Sequence, residues 1–118
     1  MSQTSHVFGV PIEGYGYEKI REHLLVSSTP CWIVTANPEI LLYAVKNEKY
    51  RKTLLQASLR TVDGFGLWML LKIFREKTIR LTGIELAERL LFEAEKQNWR
   101  VAFIGGRKNV AEQAANYW

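Results

Sequence analysis

Apolar and polar positions change period several times along the chain, and each change predicts an element. Val7-Phe8-Gly9-Val10 is a short apolar run that stops at Pro11, and it predicts an entry strand. From Tyr17 to Val26, Tyr17, Ile20, Leu24 and Leu25 recur at helical spacing with Glu18, Lys19, Arg21 and Glu22 between them. Ser27-Ser28-Thr29-Pro30 closes that helix as a loop. Cys31 to Val34 is a continuous apolar run bounded by turn formers, the pattern of a strand covered on both faces in a parallel sheet. Asn37 is a good N-cap, and Pro38 suits a first helical turn, so a helix is expected from Pro38 to about Lys46. A second amphipathic stretch covers Glu48 to Ala57.

Leu59-Arg60-Thr61-Val62 is the next strand, followed by a turn at Asp63-Gly64-Phe65-Gly66 and an apolar helix from about Leu67 to Phe74. Thr82-Gly83-Ile84-Glu85 reads as a capping box, opening a helix from Gly83 to about Asn98 with Leu86, Leu90, Leu91 and Ala94 on one face. Val101-Ala102-Phe103-Ile104 reads as a buried strand running into Gly105-Gly106. Asn109, with Glu112 in the capping-box position, is expected to cap a last helix that reaches Trp118 without a stop signal. Strands alternate with helices throughout. The expected fold is therefore α/β, a single Rossmann-like domain over residues 1–118, with a largely parallel sheet and flanking helices. A doubly wound sheet normally continues beyond this point, so the sheet is expected to be incomplete and the chain a fragment or natural truncation.

Composition narrows the function classes. Hydrophobic residues make up 47% and charged residues 24% of 118 residues, as in an ordinary globular protein. Sixteen basic against twelve acidic residues give a formal charge of +4. Lys46, Lys49, Arg51, Lys52, Arg60, Lys72, Arg75, Lys77 and Arg80 hold many of them, either as solvated helix faces or as a patch facing phosphates or an anionic membrane. A nucleic-acid-binding domain is the weaker reading, since no groove-reading helix motif or aromatic stacking platform accompanies the charge. Cys31 is the only cysteine, which excludes an internal disulfide and suits a buried structural thiol in a reducing cytosol. Met1 to His6 lack the apolar core of a signal peptide, and the longest apolar run, Gly66 to Leu71, is far short of the ~18 residues of a membrane span. A cytoplasmic protein with at most peripheral membrane contact is expected. His6 and His23 have no ligand partners at metal-binding spacing. Trp32, Trp68, Trp99 and Trp118 read as core or partner-facing aromatics.

In open α/β sheets ligands bind beyond the carboxyl ends of the strands. Three such ends carry chemistry here: Thr35-Ala36-Asn37, Asp63-Gly64-Phe65-Gly66 and Gly105-Gly106-Arg107. Parallel, adjacent strands would put all three on one rim. Asp63, the only Asp in the chain, can be a catalytic carboxylate or an ordinary Asp-Gly turn bonding its own backbone. Thr35 and Asn37 can bind a substrate through hydroxyl and amide, although capping alone explains Asn37. Gly105-Gly106, with Arg107 and Lys108 beside them, can let a phosphate approach a helix N-terminus, but they do not form G-x-G-x-x-G. Arg80, just before the capped helix, can hold a diphosphate or be a surface arginine.

Five pieces in order carry a resemblance. They are Phe8-Gly9-Val10, Val34-Thr35-Ala36-Asn37-Pro38-Glu39, Val62-Asp63-Gly64-Phe65-Gly66, Arg80-Leu81-Thr82-Gly83-Ile84-Glu85-Leu86 and Phe103-Ile104-Gly105-Gly106. Together they resemble the WecG/TagA/CpsF glycosyltransferases, over nearly the whole chain but only about the first half of that family's usual domain. The resemblance implies inverting transfer of N-acetylmannosamine, or a related hexosamine or uronate, from a UDP donor. The acceptor it implies is an undecaprenyl-diphosphate-linked N-acetylglucosamine, in cell-surface polysaccharide or teichoic acid synthesis. It implies Asp63 as general base, Arg80 on the substrate or leaving diphosphate, and Thr35, Asn37, Gly64 and Gly66 at the substrate. It puts Gly105 and Gly106 near the nucleotide. With one Asp no metal-binding D-x-D is possible, so Arg80 and helix N-termini replace a metal, and no cofactor is expected. Glu85 stands where the family usually has Asp, and Val62 where Pro is common. The alternative is a truncated, non-catalytic remnant that at most binds a sugar nucleotide or a partner chain, including a second copy of itself.

Overall fold

The computed structural model describes residues 4–74 and 77–118. Arg75 of the basic run and the first three residues of the polar amino terminus lie outside that set. The chain divides into two compact units, Met1–Leu86 and Ala87–Trp118.

The first unit opens with an antiparallel hairpin, β1 (Thr4–Val7) and β2 (Val10–Glu13), in which Val7 faces Val10. The run from Val7 to Val10 is therefore not an entry strand, as its apolar character suggested, but the tip of this hairpin. Both loop residues take positive φ, Phe8 at 52° and Gly9 at 77°, which is what a two-residue turn matched to strand twist requires. The apolar run straddles the turn, and the true strand signal is the alternation on either side of it, where Ser5, Val7, Val10 and Ile12 are buried. Glycine adopts this backbone freely, whereas a bulky residue there costs about 1–2 kcal/mol. Phe8→Asn, which creates Asn-Gly, is expected to raise stability by about 0.5–1 kcal/mol. A urea unfolding midpoint reads this directly, and a lowered midpoint would contradict the turn assignment.

Helix α1 (Tyr17–Val26) follows as expected. Strand β3 (Ile33–Ala36) then pairs in parallel with β4 (Leu59–Val62), Ile33 opposite Leu59 and Ala36 opposite Val62. The crossover holds α2 (Pro38–Lys46) and α3 (Glu48–Leu55). Asn37 caps α2 through Oδ1, which accepts from the Ile40 amide at 2.9 Å. Asn47 caps α3 in the same way. Strand β3 starts two residues later than its apolar run, because Trp32 turns its backbone to Ser58 and Leu59 instead of entering the ladder evenly. Cys31 is accordingly only half-buried, not the buried thiol expected. Helix α4 (Phe65–Ile73) leaves β4 through Asp63-Gly64. Arg80 then forms a parallel bridge to Val62, and the Leu81 amide donates to Val62 O at 3.0 Å, so a third extended stretch flanks β4. Two successive βα connections over parallel neighbours make the unit α/β and Rossmann-like.

One face of this sheet carries Val34, Ala36 and Val62 into a core with Val10, Leu41, Leu54, Leu67 and Leu71. Each larger side chain there contributes about 1.5–3 kcal/mol. Arg60 departs from the solvated basic set. It lies inside, with Glu13 as its ion-pair partner, at side-chain exposures of 7% and 11%.

Helix α5 (Gly83–Gln97) begins in the first unit and continues in the second, where Asn98 at φ 54° ends it in the left-handed conformation. Val101–Ile104, expected as a buried strand, forms none: Ile104 is 95% exposed. An extended segment becomes a strand only when a neighbour takes up its backbone groups, and no described residue pairs with this one in a ladder. Helix α6 (Val110–Tyr117) follows Asn109, which sits at φ 68° and makes no side-chain cap bond. An N-cap needs extended backbone, so the expected cap at Asn109 is absent.

Candidate functional site

The side chains of a strand alternate between faces, so Thr35, Thr61 and Asp63 lie opposite the core face of Val34, Ala36 and Val62. The parallel register, carried one step past Ala36 and Val62, sets Asn37 beside Asp63; the Asp63 amide donates to Ala36 O at 2.8 Å. The Asp63 side chain does not bond its own turn. Its Oδ2 accepts from the Gly83 amide, twenty residues on, at 3.0 Å. Gly83 is the first residue of α5, so the carboxylate meets an unpaired N–H at the positive end of a helix. Thr35 converges on the same point: a Cβ on Gly83 would lie 3.1 Å from Thr35 Oγ1 and 3.3 Å from Asp63 Oδ2. Thr82 closes the corner, its Oγ1 accepting from the Glu85 amide at 3.2 Å, the cap expected of it.

Among the described residues Asp63 Oδ1 makes no hydrogen bond, so half of a half-buried carboxylate remains for a ligand. Asn37 spends Oδ1 on its cap and keeps Nδ2 for other partners. Arg80 is exposed, with its backbone fixed beside the end of β4 by the bridge to Val62. Gly64 holds φ 87° and ψ 144° at the N-cap of α4, a conformation for glycine alone, and Gly66 sits in the first turn, where its missing Cβ faces Pro38 Cγ at 3.8 Å. Gly105 and Gly106 also take positive φ, but they belong to the second unit and follow a segment that forms no strand. The strand-end geometry expected of them is missing. Two residues of the corner escaped the sequence reading. Gly83 was visible only as part of a cap. Thr61 is fully buried, its Oγ1 has no partner among the described residues, and its register opposite Thr35 was the signal that could have found it. Clefts of about 490 Å³ near Tyr15 and His23 and about 550 Å³ near Phe8 and Phe74 lie elsewhere.

This arrangement can accept a proton from a bound hydroxyl at the N-terminal end of a helix. A model described as the glycosyl transferase WecG/TagA/CpsF family matches residues 5–118. The chain belongs to that family. One WecG/TagA/CpsF relative, from Bacillus spizizenii, is named N-acetylglucosaminyldiphosphoundecaprenol N-acetyl-beta-D-mannosaminyltransferase. It is 38% identical over 80 residues, which cover 67% of this chain and 31% of the relative. A Staphylococcus aureus relative of the same name is 34% identical over 89 residues, covering 75% of this chain and 35% of its own. The chain thus spans about a third of the length of the relatives it matches.

Proposed function

We propose that this chain is the amino-terminal part of an inverting glycosyltransferase domain. That domain moves N-acetylmannosamine, or a related hexosamine or uronate, from a UDP-sugar to N-acetylglucosamine on undecaprenyl diphosphate. The observation that carries the reading is the Asp63 carboxylate, held by the Gly83 amide against Thr35 at the carboxyl ends of two parallel strands. The names of the relatives supply the transferred sugar and the acceptor class. In the reaction the acceptor hydroxyl attacks the anomeric carbon from the face opposite UDP and passes its proton to Asp63 Oδ1. The bond from that carbon to the β-phosphate oxygen breaks, and the diphosphate leaves with the electron pair. Arg80 neutralises the departing charge. Thr35, Asn37, Gly64 and Gly66 border the reacting sugars. Among the described residues no helix is long and apolar enough to cross a membrane. The reaction takes place at the inner face of the plasma membrane, by peripheral contact.

The test is incubation with UDP-N-acetylmannosamine and a polyprenyl-diphosphate-linked N-acetylglucosamine. A β-linked disaccharide lipid and released UDP are expected. UDP binding without product would favour the second reading, a chain that binds a sugar nucleotide and turns nothing over. Neither binding nor product would sink both.

Gly83→Ala tests the corner. A Cβ would press on Thr35 Oγ1 and Asp63 Oδ2 and shift the carboxylate by a few tenths of an ångström. Alanine is the better helix former, so stability is expected to change by less than about 1 kcal/mol. Turnover is expected to fall roughly tenfold, because a base displaced from its hydroxyl loses proton-transfer geometry. Equal turnover with an unchanged unfolding midpoint would remove the corner from the mechanism.

A further inference from the structure

Strand β4 is buried along its whole length, and Thr61 within it is 0% exposed. Leu59 and Thr61 face the side of the sheet opposite the Val62 core, the side on which Thr35 and Asp63 stand. No described residue gives Thr61 Oγ1 a hydrogen bond. Valine has nearly the same shape without the hydroxyl. For folding alone it is the better residue there, because a buried hydroxyl without a partner is destabilising. The hydroxyl therefore calls for a partner that the strand itself does not supply.

Two more oxygens on this face are in the same condition. Thr35 is the register partner of Thr61, and its Oγ1 makes no hydrogen bond to a described residue. Asp63 follows Thr61 by two residues, and its Oδ1 is unbonded while Oδ2 accepts from the Gly83 amide at 3.0 Å. Same-face neighbours stand about 4.8 Å apart across two strands and about 6.6 Å apart along one. Those spacings are long for direct bonds and suit one water among the three oxygens. A buried water needs two to four polar partners, and three are present. A cation is disfavoured, since one carboxylate and two neutral hydroxyls face the positive end of α5.

We infer that Thr61 is a positioning residue for Asp63, acting through a single buried water. The Thr61 hydroxyl donates to the water, and the water donates to Thr35 Oγ1 and to Asp63 Oδ1. With Oδ2 held by the Gly83 amide and Oδ1 by the water, both carboxylate oxygens are anchored. Oδ1 keeps its second lone pair, in a fixed direction, for an incoming hydroxyl. The inference rests on the proposed function where it treats Asp63 as the base. The water and its anchoring of the carboxylate are measured without sugar transfer, so the two can fail separately.

The experiment compares the parent chain with Thr61→Val and Thr61→Ser. Oxygen-17 relaxation dispersion counts long-lived internal waters, and the count is expected to fall by one in Thr61→Val and to be restored in Thr61→Ser. Hydrogen exchange of the Gly83 amide reads how firmly the carboxylate is held. It should quicken by roughly tenfold in Thr61→Val and return to the parent rate in Thr61→Ser, while the urea midpoint of Thr61→Val stays at or above the parent's. In sugar transfer, kcat should fall by roughly tenfold in Thr61→Val with KM unchanged, and Thr61→Ser should recover it. An unchanged water count in Thr61→Val would overturn the inference. So would Gly83 exchange at the parent rate, or a kcat equal to that of an active parent. A parent chain that transfers no sugar removes the proposed function, and the water count and the Gly83 exchange still decide the inference.

Discussion

Glu13→Ala is expected to destabilise the protein by about 3–5 kcal/mol, the cost of breaking a buried ion pair by removing one partner. Glu13 Oε2 accepts from the Arg60 amide at 2.6 Å, and Oε1 accepts from Arg60 Nη2 at 2.9 Å. Alanine leaves a backbone N–H and a guanidinium without their acceptor in a place water barely reaches. Arg60 does more than pair with Glu13. Its Nη1 donates to Ala57 O at 2.8 Å and Leu54 O at 3.3 Å, closing the end of α3, and its Nε donates to Pro11 O on β2. One side chain therefore ties the hairpin to the parallel pair and to the helix between its strands. Total stability of such a domain is about 5–15 kcal/mol, so the single substitution removes a large share. Urea unfolding of Glu13→Ala, Arg60→Met and the double variant measures it, and the double variant should cost clearly less than the sum. A loss below about 1 kcal/mol in Glu13→Ala would show that the pair is solvated like a surface bridge.

No local pattern in the sequence announces this pair. A lone arginine in the short run Leu59–Val62 looks like one more surface cation, and its partner lies 47 residues away. What was legible was local. Helices α1 and α2 stand at their expected bounds, since helical periodicity and an Asn-Pro start act over a few residues. Strand β4 was legible because a short run between Ser58 and Asp63 allows one placement. The hairpin is not legible, because an apolar run across a turn imitates a strand, and Phe8 in a left-handed position runs against residue preference. Val101–Ile104 has the composition of a buried strand, but pairing is not a property of the segment. In the site, the meeting of Thr35 with Asp63 followed from parallel strands ending together. The role of Gly83 did not, because it depends on where α5 starts in space.

The proposed transfer turns on one carboxylate, and Asp63→Asn isolates it. The amide oxygen of Asn can still accept from Gly83 N–H, so fold and unfolding midpoint should be retained while the capacity to take a proton is lost. General-base catalysis typically contributes about 10²–10⁴-fold, and a fall of that size in transfer rate is expected. The most direct measurement is the rate of β-linked disaccharide-lipid formation by Asp63→Asn beside the parent chain, at matched UDP-sugar and acceptor. A drop of at least about a hundredfold in a variant that unfolds at the parent's urea concentration is the predicted result. A folded variant that turns over at the parent's rate would contradict the assignment of Asp63 as the base.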